Sequence, residues 1–535
     1  MVGLGQLYEQ QKLIDMSEFR EIVGKNLNWQ NVSSNFQLLR TYGWHDSPVI
    51  RRIFSLARHL GYKSVLMDDV SDCVLCEVEG NAIRACNPNY HKSQVVKCSF
   101  IKYSVSDGIP KQEDFVGYAI LKKDSNAKGK PIFLHVYESV MKLPFGEANE
   151  HKKDNNYFVH CSRDYNVMTT QGAFHVRGVL FAQQNGISSL CAHVAIRSVL
   201  DCLFGNRFSS YDDYNTRGGV CCADLQKAIG SKHIEMILES YGCKFRKHAE
   251  SNVLDPLTPD FDNVLYGSIE SGLPALLVFN VERQGYYQHI IPFFGHSFSS
   301  HTWIHNLYFA EYFAEGYPLS AKDILFVKNQ VFPYHSSENW VGDYIVHDGN
   351  LGAYFTIPRR LGKWTNQNRI LYTLNGLDWA LSAQEAESLG LAYLHNFYCI
   401  HAKKLSCCFW FEEIFHRYEE GQSVLRTIQV SKEDYIHHLE TMNMGEDVVN
   451  LIRDERFPTY FWMIEISCTE LFPTNRHKLG EVLLCSNQRN VKDAFMAIRF
   501  PGAFEIKTIN NTIKHYNTQV REHTDVFCLS PFGAH

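Results

Sequence analysis

The chain has 535 residues, too many for one hydrophobic core, and its 45% hydrophobic and 21% charged content is that of an ordinary multi-domain globular protein. Its formal charge of −6, from 52 basic and 58 acidic residues, leaves no global field to hold a polyanion by counterion release, so no nucleic-acid partner is expected. The longest apolar runs, such as "LPALLVF" and "HIIPFFG", fall far short of the roughly 20 residues of a membrane helix. The N-terminal "MVGLGQLYEQQKLIDMSEF" offers neither a signal-peptide core nor a glycine for myristoylation. These features predict a cytoplasmic protein without a membrane partner, whose 16 cysteines are free thiols and mostly core residues.

In chain order, "SPVIRRIFSLARHLGY" puts Val49, Ile53, Leu56 and Leu60 at helical spacing with Gly61 as the stop, and "DFVGYAILK" and "PIFLHVY" have the β-branched and aromatic content of strands. Polar stretches at 122–130 and 146–156 lack periodicity and read as loops, the second near a boundary that closes a mixed α and β region over 1–165. Within it, Cys73, Cys76, Cys86, His91 and Cys98 include a Cys-x-x-Cys. However, "SDCVLCEVEGN" reads as a strand, in which residues three apart face opposite sides, and the later spacings fit no zinc module. Buried thiols are the default there, and the adjacent Cys221 and Cys222 are no better as ligands. With no P-loop, dinucleotide fingerprint or His-Glu-x-x-His, neither a metal nor a cofactor is expected.

From "QGAFHVRGVLFAQQ", a strand or loop, the chain enters a helix near Leu190. Further helices follow to about Tyr241, then strands at "PALLVFN", "YYQHIIPFFG" and "DYIVHD". A helix followed by strands predicts an α+β class. After about Arg360, "SAQEAESLGLAYLHNFY" and "SKEDYIHHLETM" each open on a Ser-x-x-acid cap, and "TYFWMIEISC", "KLGEVLLC" and "AFMAIRF" read as strands. The aromatic and charged "HAKKLSCCFWFEEIFHRYEE" reads as an amphipathic element with a solvated face. The expected division is 1–165, 166–362 and 363–535.

Cys191 falls in the first turn of the helix that Ser188 or Ser189 can cap, where the helix dipole and free N–H groups stabilise a thiolate. A nucleophile needs a base. His193 is the nearest imidazole, but two residues along a helix is about 200° of rotation, so it faces away. His289 enters a strand near a sheet end and is the better base; His296, of opposite parity and beyond Gly295, reads as a turn or supporting histidine. Asp348, in "YIVHDGNLG", is either an ordinary Asp-Gly turn residue or the acceptor of the second imidazole N–H.

The order of "QQNG…CAH", "QHIIPFFG" and "YIVHDGN" resembles the papain-like cysteine peptidase superfamily, in the branch similar to bacterial leader-peptide peptidases and phytochelatin synthase. The resemblance covers roughly 171–358 and implies a nucleophile-bearing helix packed on an antiparallel sheet, with a Cys191–His289–Asp348 triad and Asn350 as the substitute orienting residue. It also implies a glutamine in the oxyanion hole, whose usual place is occupied here by Asn185, one residue closer to the cysteine than Gln184. Gln184 is the expected donor, with Gln183 and Asn185 as alternatives. The implied activity is hydrolysis of a peptide or isopeptide bond in a protein or peptide substrate, with the flanking regions selecting it. The same triad serves acyl transfer when an amine replaces water, and a decayed core could serve as a binding module.

Overall fold

Ser47 caps the first long helix, Pro48–His59, by accepting from the Ile50 amide at 3.3 Å, and Gly61 (φ +89°) turns the chain out of it. The apolar face this builds, Val49, Ile50, Ile53, Phe54 and Ala57, is buried against an antiparallel sheet of β1 (Lys25–Asn31), β2 (Ser64–Asp69), β3 (Tyr90–Ile101), β4 (Phe115–Asn126) and β5 (Pro131–Met141), in that spatial order. The computed structural model describes residues 25–516 apart from 72–79, 146–155, 185–190, 206–210, 220–229, 250–260, 300–307, 312–330, 360–365, 376–380, 402–414 and shorter gaps between them.

The second sheet is central. It runs β15 (Gly352–Pro358), β14 (Val341–Asp348), β11 (Tyr286–Phe298), β10 (Ala275–Glu282), β16 (Asn366–Asn375) and β9 (Lys244–Ala249), with β6 (Asn156–Phe158) also paired to β11. Helix Cys191–Phe204 lays Ala192, Ala195, Ile196 and Val199 in one core with Leu276, Val278 and Ile290. The alternate residues Leu277, Phe279, Ile291 and Phe293 form another core with Val264, Leu265 and Ile269 of helix Phe261–Glu270. A hairpin of β7 (Arg163–Thr169) and β8 (Gly172–Gly178) joins the first sheet through Tyr165, Val167, Phe174 and Val176.

The third sheet runs β12 (Tyr308–Glu311), β13 (Val331–Ser336), β17 (Ser423–Ser431), β18 (Tyr460–Cys468), β19 (Gly480–Cys485), β20 (Phe495–Phe500), β21 (Ala503–Lys507) and β22 (Ile513–Tyr516). Helix Ala383–His401 packs against one face, and helices Lys432–Thr441 and Glu446–Asp454 against the other. The molecule is α+β with antiparallel sheets, interrupted among the described residues by one parallel pair, β13 with β17.

The three units do not follow the expected limits at 165 and 362. β6, before the first limit, and β16, beyond the second, both belong to the central sheet, while the β7–β8 hairpin, β12 and β13 leave the middle segment to join its neighbours. Pattern within a strand announces the strand; the partner it pairs with lies far along the chain and leaves no local trace.

A row of charges crosses the third sheet in register: Arg426, Glu465, Glu481 and Arg499, on β17 to β20, are adjacent and buried. Lys478 bridges the two glutamates at 2.9 and 2.6 Å, Arg426 reaches Glu465 at 2.7 Å and Arg499 reaches Glu481 at 2.7 Å. Arg426 also pairs with Glu270 at the end of helix Phe261–Glu270, and Glu270 holds His296 of β11. Burial would raise the Glu270 carboxyl, but Arg426 and His296 hold it well below the usual range.

Candidate active site

Cys191 is the first residue of its helix and is half-buried; the residues before it, including Asn185, Ser188 and Ser189, lie outside the described residues. Two charged residues at i and i+4 on this otherwise apolar helix fasten it to the first unit. Arg197 pairs with Glu138 of β5 and donates to the Tyr137 carbonyl at 3.2 Å, while Asp201 accepts from the Tyr165 hydroxyl of β7. The opposite face packs apolarly on the central sheet, so the helix cannot slide without breaking one or the other. His193 faces away from Cys191, with its Nε2 2.7 Å from Asn215 Oδ1, and burial, partly opposed by Asn215, pushes its pKa down to about 4.

His289 sits near the start of β11, opposite Phe279 of β10, whose ring meets it edge-on at 5.6 Å. Its Nε2 lies 3.1 Å from Asp348 Oδ2 at the end of β14, and the Cys191 thiol is near enough to act on its titration. With Nε2 turned to the carboxylate, Nδ1 is the ring nitrogen left for sulfur. Burial alone would lower the His289 pKa; the hydrogen bonds and charges of Asp348 and Cys191 outweigh it and raise the value to about 9. Burial likewise would raise Asp348, but His289 and the Asn350 and Leu351 amides hold it below the ordinary carboxylate value. Those two amides donate to Asp348 Oδ1 at 2.7 and 3.1 Å, so each carboxylate oxygen has its own task. The turn also leans on the helix that Cys191 opens: a Cβ on Gly349 would come within 3.1 Å of Val194.

The two glutamines part company. Gln183, only 9% exposed, pairs like a strand residue with Val136 of β5: its amide donates to the Val136 carbonyl at 2.8 Å and its side-chain Oε1 accepts from the Val136 amide at 3.0 Å. Gln184 is half-buried and turns towards the Asp348 turn, donating from Nε2 to Asn350 Oδ1. Of the expected site residues, Cys191, His289 and Asp348 are brought together, Gln184 stands beside them, and Gln183 is committed elsewhere.

His296 is no turn residue. It lies within β11, fully buried on Glu270, on the side that faces the third unit. Cys98 is buried in the core of the first unit and His91 is exposed; Cys73, Cys76, Cys86, Cys221 and Cys222 lie outside the described residues. Among the described residues no group of His, Cys, Asp or Glu could hold a metal ion, and no helix is long and apolar enough to cross a membrane.

Sequence reasoning missed the residues that hold the site rather than form it. Arg197 and Asp201, charges on an apolar helix, were visible as an anomaly. Arg52 was not: its guanidinium donates to the Ala353 and Tyr354 carbonyls at 2.7 and 2.6 Å, next to Tyr354, whose φ of +53° is unusual for a large side chain. That contact fixes β15 and, through its pairing, the strand that ends in Asp348.

Comparison of the chain with family models, with curated proteins and with solved structures gives no match to any of them.

Proposed function

We propose that the protein is a papain-like thiol hydrolase that cleaves a peptide or isopeptide bond in a protein or peptide substrate. The observation that carries this reading is His289, whose imidazole is held by the Asp348 carboxylate and whose titration is raised by both Asp348 and the Cys191 thiol. Asp348 keeps the ring oriented and its charge favours the imidazolium, which supports a Cys191 thiolate as the attacking group. The sulfur adds to the acyl carbon, the carbonyl electron pair moves to oxygen, and the imidazolium gives its proton to the departing amine. Water, activated by the now neutral ring, then releases the acid and restores the thiol. Gln184 is the side-chain donor to the oxyanion, a contribution typically worth about 10²–10³ in rate.

An iodoacetamide-based probe, with labelled positions read by mass spectrometry, tests this directly. Cys191 is expected to react fastest of the 16 cysteines, and His289→Ala is expected to slow it by about 10²-fold or more, the usual weight of a positioned base. Labelling of Cys191 at the rate of the other thiols, unchanged by His289→Ala, sinks the proposal.

A further inference from the structure

We infer that Asn350 is a positioning residue for the oxyanion donor, fixing the Gln184 amide so that one of its N–H groups is presented to the acyl oxygen; this rests on the hydrolase reading above. Gln184 Nε2 carries two hydrogens, and Asn350 Oδ1 accepts one of them. A side-chain amide left to rotate would offer carbonyl and amino groups alternately to the site. With one N–H engaged, the amide is locked with its donor side forward, which is what a preorganised oxyanion hole requires.

Asn350 is itself immobilised. Its main-chain amide donates to Asp348 Oδ1 at 2.7 Å, and the Leu351 amide closes the same turn by donating to Asp348 Oδ1 and to the Asp348 carbonyl, each at 3.1 Å. Gly349 between them lies close to the Gln184 main chain: a Cβ there would stand 3.9 Å from the Gln184 nitrogen. On the other side, Gln183 is paired with Val136, so the backbone that carries Gln184 is anchored and only its side chain remains to be set. One aspartate therefore serves both halves of the reaction. Oδ2 orients the base, and Oδ1 holds the turn whose asparagine sets the donor.

Two probes of Cys191 separate this role from a structural one. With 4-nitrophenyl acetate the thiolate sulfur adds to the carbonyl carbon, the C=O pair becomes an oxyanion, and its return expels 4-nitrophenolate and leaves the S-acetyl enzyme, while His289 keeps its proton. With iodoacetamide the sulfur displaces iodide and no oxyanion forms. Asn350→Ala is expected to slow the 4-nitrophenolate burst by roughly tenfold to 10²-fold, the cost of a misplaced group, while iodoacetamide alkylation keeps its rate. Asn350→Asp, which still accepts from Gln184, is expected to recover most of the burst rate. The Gln184→Ala/Asn350→Ala pair is expected to be no slower than Gln184→Ala alone, because the two act as one unit. An Asn350→Ala burst at the unmodified rate, equal slowing of both reagents, an Asn350→Asp chain as slow as Asn350→Ala, or a double variant slowed by the product of the singles overturns the inference. An unmodified chain with no burst, and with Cys191 no more reactive than other thiols, overturns the hydrolase reading first and this one with it.

Discussion

His289 is the residue on which the site's electrostatics turn. Its folded pKa of about 9 stands above the ordinary 6.5 because Asp348 and Cys191 outweigh burial, so the imidazolium persists through neutral pH. The stabilisation this gives is fully present below the unfolded value and is lost as pH rises through about 9. Asp348, held below its ordinary 3.8, acts in the opposite sense: its contribution is present above that value and disappears as the carboxyl protonates on acidification. Both contributions are complete only between the two unfolded values, 3.8 and 6.5, so the pair favours the folded state most at weakly acidic pH, and the His289 part declines from there to about 9. Asp348→Asn removes the charge but keeps the shape, and is expected to move the His289 titration down towards 6.5. Ring-nitrogen NMR against pH reads this, and an unmoved midpoint refutes the assignment of Asp348 as the group that raises it. Asp348 and Cys191 were legible in the sequence because a turn signal and a helix start are local. The partition of work between Gln183 and Gln184 was not, since it depends on Val136 of another sheet.

At the scale of elements, helix Cys191–Phe204 is held by different physics on its two sides: apolar packing on the central sheet and buried charge on the first. Arg197 is 3% exposed and Glu138 fully buried, so removing Arg197 takes the countercharge from a buried carboxylate that also accepts from the Tyr118 hydroxyl. Arg197→Met is expected to cost about 3–5 kcal/mol, and Arg197→Met combined with Glu138→Met to recover part of it. Urea unfolding measures both, and a single variant as stable as the unmodified chain contradicts the clamp. Elements whose signals are local were readable. Ser382 caps its helix as the pattern predicts, with the Glu385 amide donating to its hydroxyl at 3.2 Å, and Ser431 does the same for the Asp434 amide at 3.0 Å. Helix Phe261–Glu270 was passed over although Val264, Leu265 and Ile269 carry its spacing. The charged row of β17 to β20 could not have been foreseen, because arginine and glutamate in isolation read as surface residues and only cross-strand register makes them partners.

For the whole molecule, the interleaving of strands makes the middle segment dependent on both neighbours. A chain reduced to 166–362 would lose β6 and β16 from the central sheet, leave Arg197 without Glu138 and strip β13 of β17. Such a fragment is expected to be insoluble, or to unfold without a cooperative transition in urea; a soluble fragment with a sharp transition would show that the middle segment is a domain in its own right. The buried charges reach the same scale, since Glu270 binds Arg426 of the third unit and His296 of the strand that also carries His289. The path from β11 to β14 gives the fold a sense of time. Between the strand that bears His289 and the strand that ends in Asp348, the chain travels out to pair with Ser423–Ser431, a segment that leaves the ribosome later. The nascent polypeptide thus carries β13 without that partner until Ser423–Ser431 has been made. The finished arrangement of the two strands waits on a segment made after both of them.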